Sequence, residues 1–394
     1  MSERHLPTAA PTEGKPAPAD HGKSTPADHG KSTPADHGKP APADHEKSTP
    51  AEGGKPAPAE GGTSAPGIPG GPGVGVRRGL PAAARLAVAA GLAAASVCAF
   101  LFLFIEGSFA FAFERRLTMF GTMAVVAFAQ AMATVVFQTI THNRLLTPSI
   151  MGFDAVYILM QTLLVSVFGG SVLAVTDGMP KLITQTLLMA GFTMLLFGWL
   201  FSGRKGSLHV LLLVGVVLGL AFRSLSDFLQ RLLSPAEYDV LSTRLFGRLS
   251  TAEAEHLPLA GAVCLIVGVV IWQRRYRLDT LLLGRDTATN LGIAHKRELM
   301  VMLLLISVLI AMSTALAGPM TFFGFVTAML AYQLAGTHRH VVVLPMAFLI
   351  GLITLAGGQF LMEHVFYASG MLTVVIEFLG GAVFLIHLLR KGTL

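Results

Sequence analysis

Ten long apolar runs follow one another through most of this chain, and they constrain its fold more than any other feature. They cover about 84–105, 117–140, 149–170, 182–201, 207–226, 257–273, 298–317, 319–334, 341–361 and 371–389. A helix of about 20 apolar residues crosses a bilayer core of about 30 Å. Lipid also requires each segment to satisfy its own backbone, as a helix does. The pattern predicts an all-α polytopic membrane protein with about ten transmembrane helices within residues 80–394.

Two of these runs, 257–273 and 319–334, are short for a span. The stretch 298–334 could instead form one broken hairpin around Gly318 and Pro319, because glycine and proline interrupt helices.

The charge content excludes several other classes of protein. Only 13% of the residues are charged, against about 25% in soluble domains. The formal net charge is +6, but the basic residues outside the N-terminal stretch occupy short gaps between apolar runs, which argues against a nucleic-acid interface. Cys98 and Cys264 both lie inside apolar runs, so neither a disulfide framework nor a cysteine metal site is expected.

Residues 1–79 have a different composition from the rest. From Pro18 an eight-residue unit of the type PADHGKST repeats, and it contains no apolar residue larger than alanine. Such a unit buries too little surface to offset the entropy of ordering, so a disordered low-complexity tail is predicted. The GKST sequence is not a phosphate-binding loop, because Ala17 and Thr25 stand where that loop needs glycine. The repeated histidines could bind metal loosely.

The distribution of basic residues predicts the orientation. If the N-terminus is cytoplasmic, 13 of the 20 lysines and arginines beyond residue 79 fall on the inner side and 7 on the outer side. Cytoplasmic loops carry the excess of positive charge. We therefore expect both termini in the cytoplasm.

The longest inner gap, residues 274–297, mixes leucines with charges and has Gly284 and Gly292 at the ends of a helix-length piece. This pattern predicts two short amphipathic helices. They could lie against a partner protein or rest on lipid headgroups, and periodicity does not decide between the two. The outer segment 227–256 is polar and could also form short surface helices.

Three sequence blocks carry a resemblance to a known family. They are QTITHNRLLTPSIMG at 138–152, LGRDTATNLG at 283–292 and GPMTFFG at 318–324. In this order and spacing they resemble the membrane-spanning subunits of iron-siderophore ABC importers, the FecCD-type permeases, which are relatives of the cobalamin permease. The resemblance covers roughly 84–394 and implies the type II ABC importer permease fold.

Finer features narrow the resemblance. Asp154, Tyr157 and Gln161, together with IEFLGG at 376–381, look like the subgroup associated with catecholate-type siderophores. Two departures stand out. Ala328-Met329 replaces a Pro-His pair of many relatives, and Met119 occupies the second position of an Arg-x-x-Arg motif that begins at Arg116.

The resemblance implies a permease subunit that forms the translocation pathway of an ATP-driven ferric-siderophore importer. The implied partners are cytoplasmic ABC ATPase subunits, an extracytoplasmic siderophore-binding protein, a second permease chain, identical or different, and membrane lipid, but no nucleic acid. The chain has no nucleotide-binding motif. ATP and Mg are therefore expected on the ATPase, with no directly bound cofactor, no metal and no catalytic residue here.

The resemblance also assigns candidate site residues. Those expected to couple to the ATPase are Leu283, Gly284, Ala288, Leu291 and Gly292. Those expected to dock the binding protein are Arg115 and Arg116. Those expected to serve the pathway or the structure are Gln138, Pro148, Gly152, Gly318, Pro319 and Gly324.

Two carboxylates inside apolar runs, Asp154 and Glu377, leave a second function open. Intramembrane carboxylates often serve transport, so a proton-coupled secondary transporter of a small metabolite is the alternative. Hydrogen bonds within the helix packing are the other explanation for both residues. A non-transporting scaffold that recruits partners through its tail is a further alternative.

His338 and His340 flank Arg339 and are expected in a positive inner rim rather than a metal site.

Overall fold

The computed structural model describes residues 80–104, 108–175, 179–202, 208–245, 256–367 and 372–391. These belong to a compact unit spanning Gly75–Leu394. The predicted tail at 1–79 lies outside the described residues.

Every regular element in the described ranges is helical, which confirms the predicted fold class. The α-helices are α1 Ala82–Phe102, α2 Phe109–Thr141, α3 Phe153–Val175, α4 Met179–Ser202, α5 Leu208–Gln230, α6 Pro235–Leu245, α7 Leu257–Gln273, α8 Arg275–Leu281, α9 Arg285–Asn290, α10 His295–Ala317, α11 Phe323–Ala335, α12 His340–Leu352, α13 Gly358–His364 and α14 Leu372–Lys391. A 3-10 helix at Ser149–Met151 precedes α3, and a π-helical turn at Ile353–Gly357 joins α12 to α13.

Each predicted apolar run coincides with a helix, but the helices differ in length. Five are long and apolar enough to cross a membrane alone, namely α1, α2, Leu212–Gln230, α10 and His340–His364. A sixth candidate among the described residues is the pair of α7 and α8, which meet at a bend of 58°. The remaining four apolar helices are shorter, at Phe153–Gly169, Leu182–Phe192, Phe323–Ala335 and Leu372–Ile386. The first of them ends at Gly169, whose backbone leaves the helical region.

The two most enclosed helices are α2 and α10, which pack against each other. In the most apolar stretch of each helix, 72% of the residues of α2 and 67% of those of α10 are buried, against 22% in α1 and 17% in Leu212–Gln230. Several small residues on α2, including Ala127, Ala129 and Ala131, are fully buried. Small side chains let helix backbones approach closely in a membrane. The interior is thus built around α2 and α10, with α1 and α5 at the periphery.

A close glycine contact fixes the start of α3 against α5. Gly152 has a φ of 97°, and a Cβ built there would lie 2.8 Å from the Gly219 Cα atom. The positive φ and the backbone contact both disfavour a side chain. Gly152 therefore has a packing role between α3 and α5.

Candidate functional site

The segment 274–297 forms two short helices that present leucines outward. Leu283, between α8 and α9, is 61% exposed, and Leu291, directly after α9, is 63% exposed. Leu278, Leu281 and Ala288 are fully buried. The segment therefore has an apolar inner side, which holds it to the bundle, and two apolar side chains available to a partner. Of the five residues predicted to couple to the ATPase, Ala288 alone faces inward.

The two glycines of this segment shape its turns. Gly284 and Gly292 have φ values of 94° and 85°, and a Cβ at either position would meet nothing within 4 Å. The backbone conformation, and not lack of space, accounts for glycine here. Gly284 caps the start of α9, and Gly292 follows the C-cap of the same helix.

A buried polar contact ties α8 to two transmembrane helices. The Nδ1 atom of His340 lies 2.6 Å from the Oδ1 atom of Asp279, which also accepts the His340 backbone N–H at 2.9 Å. On the other side of the ring, Nε2 lies 2.8 Å from the Thr139 hydroxyl of α2. Because a carboxylate only accepts hydrogen bonds, His340 Nδ1 carries the proton. His340 is fully buried, so it joins α8 to α2 and α12 and adds no exposed surface to the positive inner rim expected here.

Sequence reasoning missed this contact for a physical reason. Asp279 is one charge among several in a leucine-rich segment, and Thr139 is one of three threonines near the end of α2. Nothing in their local pattern links positions that are 61 and 201 residues away from His340. The signal that the sequence did offer for a buried polar contact was His340 itself, a polar residue in the first turn of an apolar helix.

Two further contacts connect the same segment to the bundle. His142 Nε2 donates to the Leu281 carbonyl at 2.9 Å. Arg274 donates to both oxygens of Glu298 at 2.8 and 2.9 Å, and Arg277 donates at 3.2 Å. Glu298 lies in the first turn of α10, and its side chain is 6% exposed. The segment is thus joined to α2, α10 and α12, so a displacement of α8 would reach both central helices.

Gln138, Pro148 and Gly152 lie around the turn that leads from α2 to α3. The Gln138 side chain is buried and donates to the Arg144 carbonyl at 2.7 Å. The Arg144 guanidinium lies 4.6 Å from the centre of the Tyr332 ring. Pro148 immediately precedes the 3-10 helix. These contacts give the three residues structural roles in the described conformation.

Gly318 and Pro319 begin a five-residue break between α10 and α11. Gly318 ends α10 with a φ of 75° and donates its backbone N–H to the Thr314 carbonyl at 2.9 Å. Gly324, just after the break, packs against the side chain of Thr134 on α2. Thr134 is seven residues, or about 10 Å, from the end of α2. Irregular backbone at such a depth is tolerated where protein encloses it.

The two intramembrane carboxylates both contact this break. Glu377 Oε1 accepts the Phe322 backbone N–H at 3.1 Å, and so caps the start of α11. Asp154 Oδ2 accepts the Thr321 hydroxyl at 3.2 Å. These hydrogen bonds favour the structural explanation of both carboxylates over a proton relay.

The two arginines near the opposite end of α2 differ in their surroundings. Arg116 donates to the Phe100 and Leu103 carbonyls at 2.9 and 2.7 Å, and thereby satisfies the C-terminal end of α1. Arg115 is exposed. Only Arg115 has a free guanidinium for a partner in this arrangement.

Other candidate groups in the described residues are buried or scattered. Gln130, Gln161 and Gln359 are each no more than 2% exposed. Within the described ranges, no three His, Cys, Asp or Glu side chains are grouped as metal ligands.

Comparisons with known proteins place this geometry in a family context. The model of the FecCD transport family matches residues 82–391. The chain is 40% identical to the petrobactin import system permease protein FatC of Bacillus anthracis over 281 residues, covering 71% of this chain and 79% of FatC. It is 37% identical to the petrobactin import system permease protein YclO of Bacillus subtilis (strain 168) over 309 residues, covering 78% of this chain and 98% of YclO.

A solved structure has the same fold. It is described as an inward-facing conformation of a metal-chelate type ABC transporter, and it matches with a TM-score of 0.67 at 21% identity. The match covers 78% of this chain and 99% of that one.

Proposed function

This chain belongs to the FecCD transport family, and on that premise we propose that it is the membrane-spanning permease of an ATP-driven importer of ferric siderophores. The observation that carries the coupling part of the proposal is the segment 274–297. It offers exposed Leu283 and Leu291 outward and is joined by buried polar contacts to the central helices. A passive scaffold would not need that connection.

The chain does no covalent chemistry in this proposal. ATP and Mg bind to separate ATPase subunits, which receive Leu283 and Leu291 in an apolar groove on the cytoplasmic side. When the ATPase subunits close, α8 moves with them. The contacts of Asp279 with His340 and of Glu298 with Arg274 pass this movement to α12 and α10. The ligand is transported because its affinity for the permease differs between the two conformational states that this movement connects.

The substrate proposal follows the relatives. FatC and YclO are petrobactin import permeases, so we assign this chain to a catecholate-type siderophore of the petrobactin kind. Uptake of iron-55 petrobactin, compared with iron-55 bound to a hydroxamate siderophore, tests the assignment. Uptake of the hydroxamate complex alone would contradict it.

The remaining partners are assigned by side of the membrane. An extracytoplasmic siderophore-binding protein docks near Arg115, whose positive charge would steer an acidic surface. A second permease chain, identical or different, completes the pathway. Both termini are cytoplasmic, in the bacterial plasma membrane, in keeping with the positive-inside distribution.

The test of the coupling proposal is affinity capture of the solubilised full chain from its native membrane, followed by mass spectrometry. We expect the wild type to retain an ATPase subunit and the Leu283→Asp/Leu291→Asp variant to lose it, because a carboxylate in an apolar groove is strongly unfavourable. Leu232→Asp is the matched control, since Leu232 is 67% exposed and lies outside this segment.

Equal ATPase recovery with the double variant would disprove docking through these leucines. Failure to recover any ATPase with the wild type under mild conditions would favour the proton-coupled carrier.

A further inference from the structure

A positively charged cavity lies within the segment 274–297, between α8, the turn that includes Leu291 and Gly292, and the start of α10. Its volume is about 600 Å³, and its walls include Arg274, Arg277, Arg297 and Glu298. Three arginines and one glutamate therefore line it. The cavity carries a net positive charge and therefore favours an anion that fits its volume.

The arginines of the cavity differ in whether they already have a carboxylate partner. Glu298 is already bound by Arg274 and Arg277. Arg297 is exposed, and it forms no ion pair with any residue that the structure describes. Arginine has a planar set of donors that suits phosphate oxygens. Arg297 is thus the free donor at this site.

Apolar surface continues from the cavity along α10 and along α7, which ends next to Arg274. On α10, Val301 lines the cavity, and the partly exposed Leu305 and Val308 follow it on the same face. On α7, Val270 and Ile266 lie four and eight residues before Arg274, and Ile266 is 64% exposed. A cationic cavity at the end of two apolar stripes matches a headgroup joined to acyl chains.

The aromatic residues nearby place the cavity at the membrane surface. Arg275 lies 4.9 Å from the Trp272 ring and 4.4 Å from the Tyr276 ring. Tryptophan and tyrosine collect at the membrane–water interface. The cavity is therefore at headgroup level, where phosphate groups of lipids are found.

We propose that this cavity binds the phosphate of an anionic phospholipid, with Arg297 as the principal donor and the acyl chains along α7 and α10. Basic cavities at helix ends are suited to such headgroups. The inference requires only that the chain spans a membrane, and it does not depend on the siderophore assignment.

Native mass spectrometry of the full-length permease, purified with its copurifying subunits and delipidated, provides the test. Palmitoyl-oleoyl phosphatidylglycerol is titrated in, with palmitoyl-oleoyl phosphatidylcholine as the zwitterionic comparison, whose phosphate is offset by a cationic choline group. We expect Arg297→Gln to weaken retention of the anionic lipid about fivefold, since one arginine near an anionic lipid surface contributes roughly that factor. Arg285→Gln should not, because Arg285 is exposed on α9 outside the cavity.

Two further arms identify the source of the phosphate. Inorganic phosphate at equal concentration should not displace the lipid, and displacement would assign the cavity to a free anion. Saturation with the ATPase should also leave the lipid bound, and its release would assign the cavity to the ATPase interface, because Leu291 also lines it. Equal retention by Arg297→Gln and the wild type would overturn the proposal.

Discussion

Two irregular segments of this protein are held by carboxylates, and they use different kinds of donors. In the segment 274–297, Asp279 contacts the His340 ring, and Glu298 contacts two arginines. At the break 318–322, the described donors are the Thr321 hydroxyl and the Phe322 backbone N–H.

The difference follows from the surroundings of each segment. Near water, a carboxylate can link separate helices through charged side chains. Within the bilayer, a broken helix leaves backbone N–H groups that lipid cannot satisfy. The carboxylates there act as acceptors for the break itself. The contacts of the first segment join separate helices, as the coupling proposal requires, whereas the contacts of the second segment satisfy the interruption itself.

The largest effect is expected from removal of the helix cap in the membrane. Glu377→Ala would leave the Phe322 N–H without its acceptor, which should lower the free energy of unfolding by about 1–3 kcal/mol. Glu377→Gln keeps an acceptor oxygen and should lose less than half as much. Thermal unfolding of the detergent-purified protein measures both variants. Equal loss in the two would mean that charge, and not the cap, is what matters.

A somewhat smaller effect on stability, with a clear effect on transport, is expected at Asp279. Asp279→Ala leaves the buried His340 without its acceptor and should lower the free energy of unfolding by about 1–2 kcal/mol. Siderophore uptake should fall further than ATPase binding, because the segment still presents Leu283 and Leu291. Asp279→Asn, which keeps an acceptor, is the control. A parallel fall in uptake and ATPase binding would contradict a transmission role.

Asp154→Asn should have little effect, which separates the importer from the proton-coupled carrier. The amide oxygen can still accept the Thr321 hydroxyl. A change below about 1 kcal/mol in unfolding free energy is expected, with iron-55 uptake within about twofold of the wild type. Abolished uptake in a stable Asn variant would restore the proton-relay hypothesis.

The smallest effect is expected at Glu237, a solvent-exposed carboxylate that caps a helix and so serves as a reference for Glu377. Glu237 Oε2 accepts the Ser234 backbone N–H and hydroxyl at 2.9 and 2.8 Å at the start of α6. These two hydrogen bonds lower the pKa of the Glu237 carboxyl below its ordinary value of 4.5. A lowered folded-state pKa gives stabilisation that is present above the unfolded value and is lost as pH falls through the folded value.

We therefore expect amide-exchange protection in the first turn of α6 to decrease as pH falls below about 4.5 in the wild type. In Glu237→Gln this pH dependence should be absent. Hydrogen exchange of the purified protein at pH 6 and pH 3 measures it. An identical decrease in the variant would show that another group is responsible.

Much of the candidate site was predictable because its signals are local. Gly284 and Gly292 marked the ends of two short helices, and the leucines between charges indicated an amphipathic segment. What the sequence did not indicate is which leucines face outward. Leu281 and Leu283 differ by two positions, yet the first is fully buried and the second is 61% exposed. The packing of α8 on α2 and α12 decides this difference.

The sequence by itself determined the helical membrane fold, because long apolar runs have no other way to satisfy their backbone in lipid. It also determined the family, through three short blocks in a fixed order. The tertiary structure decided the roles of the polar residues. Arg116 became a partner of α1 carbonyls, His340 a buried partner of Asp279, and Glu377 a cap of α11. The reason is that a polar group in a membrane protein takes its role from the nearest unsatisfied partner, which often lies far away along the chain.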